Sequence, residues 1–222
     1  MPGVENVTDR TSNPFGMRPP CEDARAADGP EAAFGYGDAN ADFHVIGDHP
    51  GVHGGRRSGI PFTDSVAGDR LLDVLRNVGL LADADGEPEP SNVFLSYLYM
   101  CCQADGESPT ESEYAELEPF FDAELRAIAA HVLVPVGERA TEHVLENYTA
   151  QAERLDLDMR ELHAAEIKGS GFLVVPIRDP TEWTDTDAER LDARLRAMLA
   201  GDYRQTSDLS RFLVDDERYM VR

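Results

Sequence analysis

The sequence predicts an α/β domain built on a short parallel sheet, with its functional site at the C-terminal ends of the strands. Three observations lead there. Short, nearly all-apolar segments recur along the 222 residues, at 42–47, 93–99, 131–137 and 171–177. Segments with apolar residues at helical spacing lie between them. No internal repeat interrupts the alternation. Strands alternating with helices imply βαβ crossovers and a parallel sheet, and strands apolar on both faces imply cover on both sides. In such sheets ligands bind beyond the strand C-termini. The informative segments are therefore 47–62, 96–103, 137–141 and 176–183.

Residues 1–12 read as a loose tail ahead of a single domain, 13–222. Residues 13–41 are rich in Gly, Pro, Asp and Ala and read as an irregular wrap. The first strand, Asp42 to Gly47, runs into the loop GDHPGVHGGRRSG. A helix over about 65–79 follows, with Leu71, Leu72, Leu75 and Val78 on one face. The stretch ADADGEPEPS reads as turns. The second strand runs from Val93 to Tyr99. Thr110 with Glu113 forms a capping box that opens a helix to about Ala130, its apolar face made by Leu117, Phe121, Leu125 and Ile128. The third strand, 131–137, leads to a short helix over 138–149. The fourth strand is 171–177. Thr186 with Glu189 reads as a second capping box, opening a helix of about 187–200, and a last short helix covers 207–214.

The net charge is -23, from 43 acidic against 20 basic residues. Only one of those basic residues, Lys168, is a lysine. Recurrent apolar strands argue against disorder, so the composition reads as a folded protein from a salt-rich cytoplasm, where salt screens carboxylate repulsion. Such acidity argues against nucleic acid in dilute buffer. In concentrated salt the argument loses force, because counterion release contributes little there. The N-terminus lacks the apolar core of a signal peptide, and no run is long enough to span a membrane. Three cysteines, two of them adjacent, do not make a disulfide framework, so buried, inert thiols in a reducing cytoplasm are expected.

The loop 47–59 carries Asp48, His49 and His53 among glycines. It lacks the Gly-Lys-Ser/Thr of a P-loop and the spacing of a dinucleotide fingerprint. His49-x-x-x-His53 on a loop carries no geometric force as a metal site. Asp48, after strand-ending Gly47, projects into the crevice or makes a loop Asx-turn; the residues alone leave both open. Phe62 at the loop exit is a core staple or a stacking platform for a planar ligand.

Taken together these segments resemble the uracil-DNA glycosylase superfamily, nearest its thermostable iron–sulfur type. Gly47-Asp48-His49-Pro50-Gly51 is similar to that type's GEAPG motif, and Gly59-Ile60-Pro61-Phe62 to its G-x-PF. Gly68-Asp69-Arg70-Leu71-Leu72 is similar to its G-x-x-L-L helix. Cys101 stands where the family has a cysteine closing strand two. Pro109-Thr110-Glu111 is similar to its helix start, Val136 to Ala140 to its strand-three exit, and Pro176 to Thr181 to its last motif, P-T-x-H-P-S. The resemblance covers roughly 13–215. It implies a three-layer αβα sandwich with a central four-stranded parallel sheet. It also implies an enzyme that flips uracil, or a related deaminated base, out of DNA and hydrolyses its N-glycosidic bond.

Carried over by position, Asp48 and Asp179 would be catalytic. Gly47, His49, Phe62 and Tyr97 would bind the base, with Phe62 stacking on it. Gly51, Arg178 and Thr181 would contact the DNA backbone. Three departures stand out. Tyr97 replaces the uracil-reading Asn and cannot present its amide pair. Asp179 replaces the histidine that stabilises the leaving anion. Arg178 could supply the missing positive charge or pair with Asp179. The cluster's Cys-x-x-Cys appears as Cys21-Glu22-Asp23-Ala24, so the iron–sulfur cofactor is expected to be lost, with no metal in its place. The partner implied is DNA containing a damaged base, bound by a monomer with no membrane association. The alternative is an inactive member that binds DNA or a protein. The space over Phe62 discriminates: if Tyr97 and His49 fill it, no base can enter.

Overall fold

The β-branched and aromatic run Phe43–Gly47 forms β2, the middle of the sheet. A computed structural model describes residues 11–21, 29–84, 87–149, 152–169 and 171–210. In chain order the elements begin with β1 (Tyr36–Gly37), β2, α1 (Pro50–His53), α2 (Val66–Asn77), β3 (Leu81–Ala84) and β4 (Glu87–Pro90). They continue with β5 (Val93–Tyr97), α3 (Glu111–Ile128), β6 (Val132–Pro135), α4 (Gly137–Tyr148) and α5 (Met159–Leu162). The last are β7 (Ile167–Lys168), β8 (Leu173–Val174), α6 (Asp185–Leu199) and α7 (Tyr203–Ser210).

The main sheet has the order β1-β5-β2-β6-β8-β7. Its four inner strands are parallel, as expected, with β5, β6 and β8 reached by crossovers from β2 outward. Two short antiparallel strands, β1 and β7, complete the edges. Side chains alternate across the sheet as period-2 geometry requires. Phe43, Val45, Val93, Leu95, Val132, Val134 and Leu173 join α2 and α6 in one core. Ile46, Phe94, Leu133 and Val174 join α3 and α4 in the other. The result is the three-layer αβα sandwich.

Several boundaries differ from expectation. The stretch 82–91, read as turns, holds most of β3 and all of β4, which pair antiparallel, and Tyr36 pins β4 by donating its hydroxyl to Pro88 O at 3.0 Å. The fourth strand pairs regularly only at Leu173–Val174, with an isolated bridge at Val136 and Ile177. The capping box of α6 lies two residues earlier than Thr186/Glu189: the Thr184 amide and hydroxyl both donate to Asp187 Oδ2 at 2.9 Å. Aspartate at that position closes the box as glutamate would. The last helix begins at Tyr203, and the expected end at 214 lies outside the described residues.

The expectation for the cysteines is overturned. Cys21 and Cys101 form a disulfide, and Cys102 alone is free and buried. The wrap brings Cys21 over the end of β5, where Ala33 N donates to Met100 O and Cys102 N to Glu31 O. Spacing could not reveal a pair 80 residues apart.

At the opposite end of the sheet, Asp42 is 5% exposed yet saturated. Its carboxylate accepts from Tyr203 and Arg204 of α7, from Asn92 and from His131. Burial pushes this carboxyl up, but those donors outweigh it and hold it below the usual range. A further polar group is sealed between the sheet and α3: His44 Nε2 lies 2.7 Å from Ser96 Oγ, and Glu124 is beside them at 1% exposure. Burial pushes Glu124 up to about 8 and His44 down to about 3. Among the described residues no helix is long and apolar enough to cross a membrane.

Candidate functional site

The β2 exit is tight. Gly47 ends the strand against two rings: a Cβ there would sit 2.6 Å from Tyr97 Cε1 and 2.8 Å from Phe62 Cζ. Only glycine fits there. Phe62 is 0% exposed, in a left-handed conformation with φ 64°. Its ring lies 5.1 Å from that of Tyr97.

Tyr97 reaches this position from the end of β5. Its hydroxyl accepts from Phe62 N at 2.7 Å and donates to Gly54 O at 2.9 Å. Burial raises its pKa strongly, so the phenol stays neutral and donates. The tyrosine is thus built in, with both of its hydrogen bonds made to backbone.

The imidazole beside Phe62 belongs to His53, not His49. His49 caps the one-turn helix α1, its Nδ1 accepting from Gly51 N at 3.1 Å. Four residues on, His53 turns inward and is 1% exposed. Its ring stacks on Phe62 at 5.8 Å and on Tyr97 at 6.4 Å. His53 Nδ1 accepts from Asp48 N at 3.1 Å. Its Nε2 faces Asp179 Oδ2 at 3.8 Å and has no hydrogen-bond partner.

His53 thus sits between the backbone amide of Asp48 and the carboxylate of Asp179. Asp48 Oδ1 accepts a hydrogen bond from Tyr114 of α3. Arg139 of α4 lies over the Tyr114 ring at 4.4 Å and pairs with Glu111 at 2.7 Å. Asp179 Oδ1 accepts from Thr181 N at 2.8 Å and Thr181 Oγ1 at 2.6 Å. Burial pushes the Asp179 carboxyl up, but His53 and Thr181 outweigh it and hold it well below the usual carboxylate range. Asp179 is an anion here.

Arg178 does not pair with Asp179. Its guanidinium turns away to Asp187 at 3.1 Å and Glu182 at 3.2 Å. Thr181 is exposed, and its amide and hydroxyl both donate to Asp179. Gly51 is exposed on α1, at the lip of a groove of about 580 Å³ whose lining includes Pro50, Gly54, Arg56, Arg57 and Ser65. Val52 and Val66, the exposed large apolar side chains among the described residues, are 39% and 69% exposed and adjoin these lining residues in sequence. Sequence reasoning missed His53, Tyr114 and Arg139 as members of this rim. The His-x-x-x-His spacing did not mark His53, since residues four apart share one helix face and both histidines are buried.

The family's signature now rests on both geometry and pattern. A model of the uracil DNA glycosylase superfamily matches residues 34–198. The chain belongs to that superfamily. Among its relatives are type-5 uracil-DNA glycosylases of Mycobacterium leprae, 28% identical over 118 residues, and Pyrobaculum aerophilum, 29% over 114. That of Thermus thermophilus is 29% identical over 119 residues, covering 51% of this chain and 54% of the relative. The aligned part spans about half the length of these curated relatives.

An iron–sulfur cluster does not fit this superfamily member's thiols. A four-iron cluster needs four thiolates. Cys21 and Cys101 are consumed in a disulfide, and burial pushes the Cys102 thiol up to about 11. Among the described residues no group of three or more His, Cys, Asp and Glu side chains is arranged to hold a metal ion.

Proposed function

We propose that this protein is a DNA-binding member of the uracil DNA glycosylase superfamily whose base pocket is shut by its own side chains, so that it binds DNA without excising uracil. The observation that carries this reading is the complete burial of Phe62 under Tyr97 and His53. A flipped base needs an aromatic face and an unoccupied edge of donors and acceptors. Here the face is covered, and Tyr97 already satisfies Phe62 N and Gly54 O. The relatives named for uracil-DNA glycosylase activity support DNA as partner. The open groove adds Arg57, a largely exposed guanidinium that shares the groove with Asp64 at 3.6 Å, while Arg56 beside it is held by Asp105 and Gln103 O. In a protein of net charge -23, non-electrostatic contacts must carry much of the affinity.

A second reading keeps the chemistry: hydrolysis of the N-glycosidic bond of uracil or a related deaminated base. What favours it is that Asp48, through its backbone amide, and Asp179, through its carboxylate, both meet His53. A carboxylate pair at the rim could orient water and stabilise a positive sugar. It requires His53 and Tyr97 to vacate the pocket.

One experiment separates the two. Binding and excision would be measured together on uracil-containing and undamaged oligonucleotides in multi-molar KCl, with abasic sites read by alkaline cleavage. The expected result is binding, weakened by the double variant Arg56→Ala/Arg57→Ala, with no excision. Excision that collapses in Asp48→Ala would install the second reading. Absence of binding by folded protein would sink DNA as the partner.

A further inference from the structure

We propose that the Cys21–Cys101 disulfide is a redox clamp: a dithiol reductant opens it by exchange at Cys21, and opening releases one wall of the Arg57 groove. What the groove holds rests on the DNA-binding reading above; the clamp itself stands on the contacts of the N-terminal wrap. The bond joins residues 80 apart in the chain. Beside it, Ala32 bridges Cys101 antiparallel, with Ala33 N donating to Met100 O at 2.9 Å and Cys102 N to Glu31 O at 2.8 Å. A bridge of one residue pair is short, so the covalent bond next to it carries much of the hold. The same wrap residues bear on the loop that follows α1. A Cβ on Gly55 would meet Ala33 Cβ at 3.3 Å, and one on Gly59 would meet Pro30 Cβ at 3.6 Å. Gly29 lines the groove of about 580 Å³ together with Arg57 and Asp105. Just past Cys101, the Gln103 carbonyl and the Asp105 carboxylate hold Arg56. Segments 29–33 and 103–105 of the rim are thus tied to each other beside the bond.

The bond can also be approached. A second groove, of about 640 Å³, runs along the wrap, and its lining includes Arg18, Cys21, Phe34 and Phe120. Cys21 lines it and Cys101 does not, so attack falls on the Cys21 sulfur. Arg18 is exposed there, and a positive charge favours the thiolate of an entering nucleophile. That thiolate bonds to Cys21 Sγ and the S–S bond breaks toward Cys101, which leaves as a thiolate and takes up the proton the reductant has shed. The reductant's second thiol then attacks the reductant's own sulfur in the mixed disulfide. Cys21 is freed as a thiol and the reductant departs as a disulfide. Two electrons and two protons pass to the protein. Cys102 takes no part: it packs into the core on the other side, with Ala33 and Phe62, and its protonated thiol is a poor nucleophile.

The test is reduction of the folded protein with dithiothreitol, read by alkylation and by amide hydrogen exchange. Cys21 and Cys101 are expected to become alkylated without denaturation. Exchange is expected to quicken about tenfold or more at the amides of Ala33, Gly55, Gly59 and Cys102, with Val45 and Val134 in the inner strands unchanged. Cys21→Ser is expected to show the fast exchange from the start and no response to dithiothreitol. Should that variant not fold, reduced wild type gives the same readout. Resistance of the folded protein to the reductant overturns the proposal, and so does unaltered exchange at 55–59. Loss of protection throughout the sheet overturns it too, since the bond would then be a staple of the whole fold. DNA enters as a separate arm: in multi-molar KCl the oxidised protein is expected to bind an oligonucleotide about tenfold more tightly than the reduced one. Equal binding by the two forms with exchange unaltered would remove this inference alone, and absence of binding by either form with exchange altered would remove only the partner.

Discussion

Tyr97 and Phe62 hold each other in place: the phenol oxygen accepts the Phe62 amide at 2.7 Å while the two rings meet at 5.1 Å. Tyr97→Phe would keep the packing and leave Phe62 N and Gly54 O buried without a partner. An orphaned buried polar group costs about 1–3 kcal/mol. Urea denaturation in concentrated KCl should show a loss of that size. An unchanged midpoint would mean that water reaches these groups and that the pocket is not sealed.

The sealed trio of His44, Ser96 and Glu124 makes stability depend on pH in two opposed ways. The Glu124 carboxyl ionises near 4.5 when unfolded and near 8 when folded. Between those values the folded chain holds the extra proton, so this group lowers stability as pH rises through the window. His44 is the reverse, ionising at 6.5 unfolded and about 3 folded. Across that lower window the unfolded chain holds the proton, so its contribution raises stability with pH. Glu124→Gln should therefore be more stable than wild type at pH 8, by on the order of a few kcal/mol, and the two should converge near pH 4. Urea midpoints of both proteins across pH 4–9 test this. Parallel curves would show that Glu124 does not titrate in the folded state.

The disulfide makes a countable prediction. Protein purified without reductant and denatured should show one reactive thiol, Cys102, and three after reduction. The bridge closes a span of 80 residues, for which chain entropy implies stabilisation of about 4 kcal/mol. Cys21→Ser should lose a comparable amount, minus any structure kept by the unfolded wrap. Three thiols before reduction would show the bond to be absent in the purified protein.

Asp42 should be intolerant of change. Asp42→Ala would remove the buried charged acceptor that Asn92, Tyr203 and Arg204 share, with a loss of about 1.5–3 kcal/mol. Because this carboxyl is held below its ordinary pKa, the stability it lends is present above about pH 4 and falls away as pH drops through its folded value. Acid titration of wild type against Asp42→Asn checks the direction.

Most of the fold was legible, and the reasons are physical. The inner strands announce themselves because both of their faces are buried, and α2 and α3 because one face is. The edges do not. Tyr36–Gly37 and Ile167–Lys168 are two-residue strands, too short for any period, and Glu87–Pro90 pairs despite a composition suited to turns. The site was legible in outline. The Asp48 backbone, Phe62, Tyr97 and Asp179 lie around His53, with Phe62 and Tyr97 buried beneath the rim. What sequence could not give was which histidine faces inward, because that depends on whether 50–53 coils into a helical turn. Tyr114 and Arg139 come from helices on the far side of a crossover and carry no local mark. Cys21 finds Cys101 only once the wrap is folded.

The Asp42 carboxylate also has a mechanical meaning. It ties the root of the middle strand to the C-terminal helix, to Asn92 ahead of β5 and to His131 ahead of β6. Three neighbouring strands are thereby anchored at one point, and none can slide lengthwise past another without breaking that knot. The molecule is stiff at its base, so whatever movement lets a ligand in must be made by the rim loops alone.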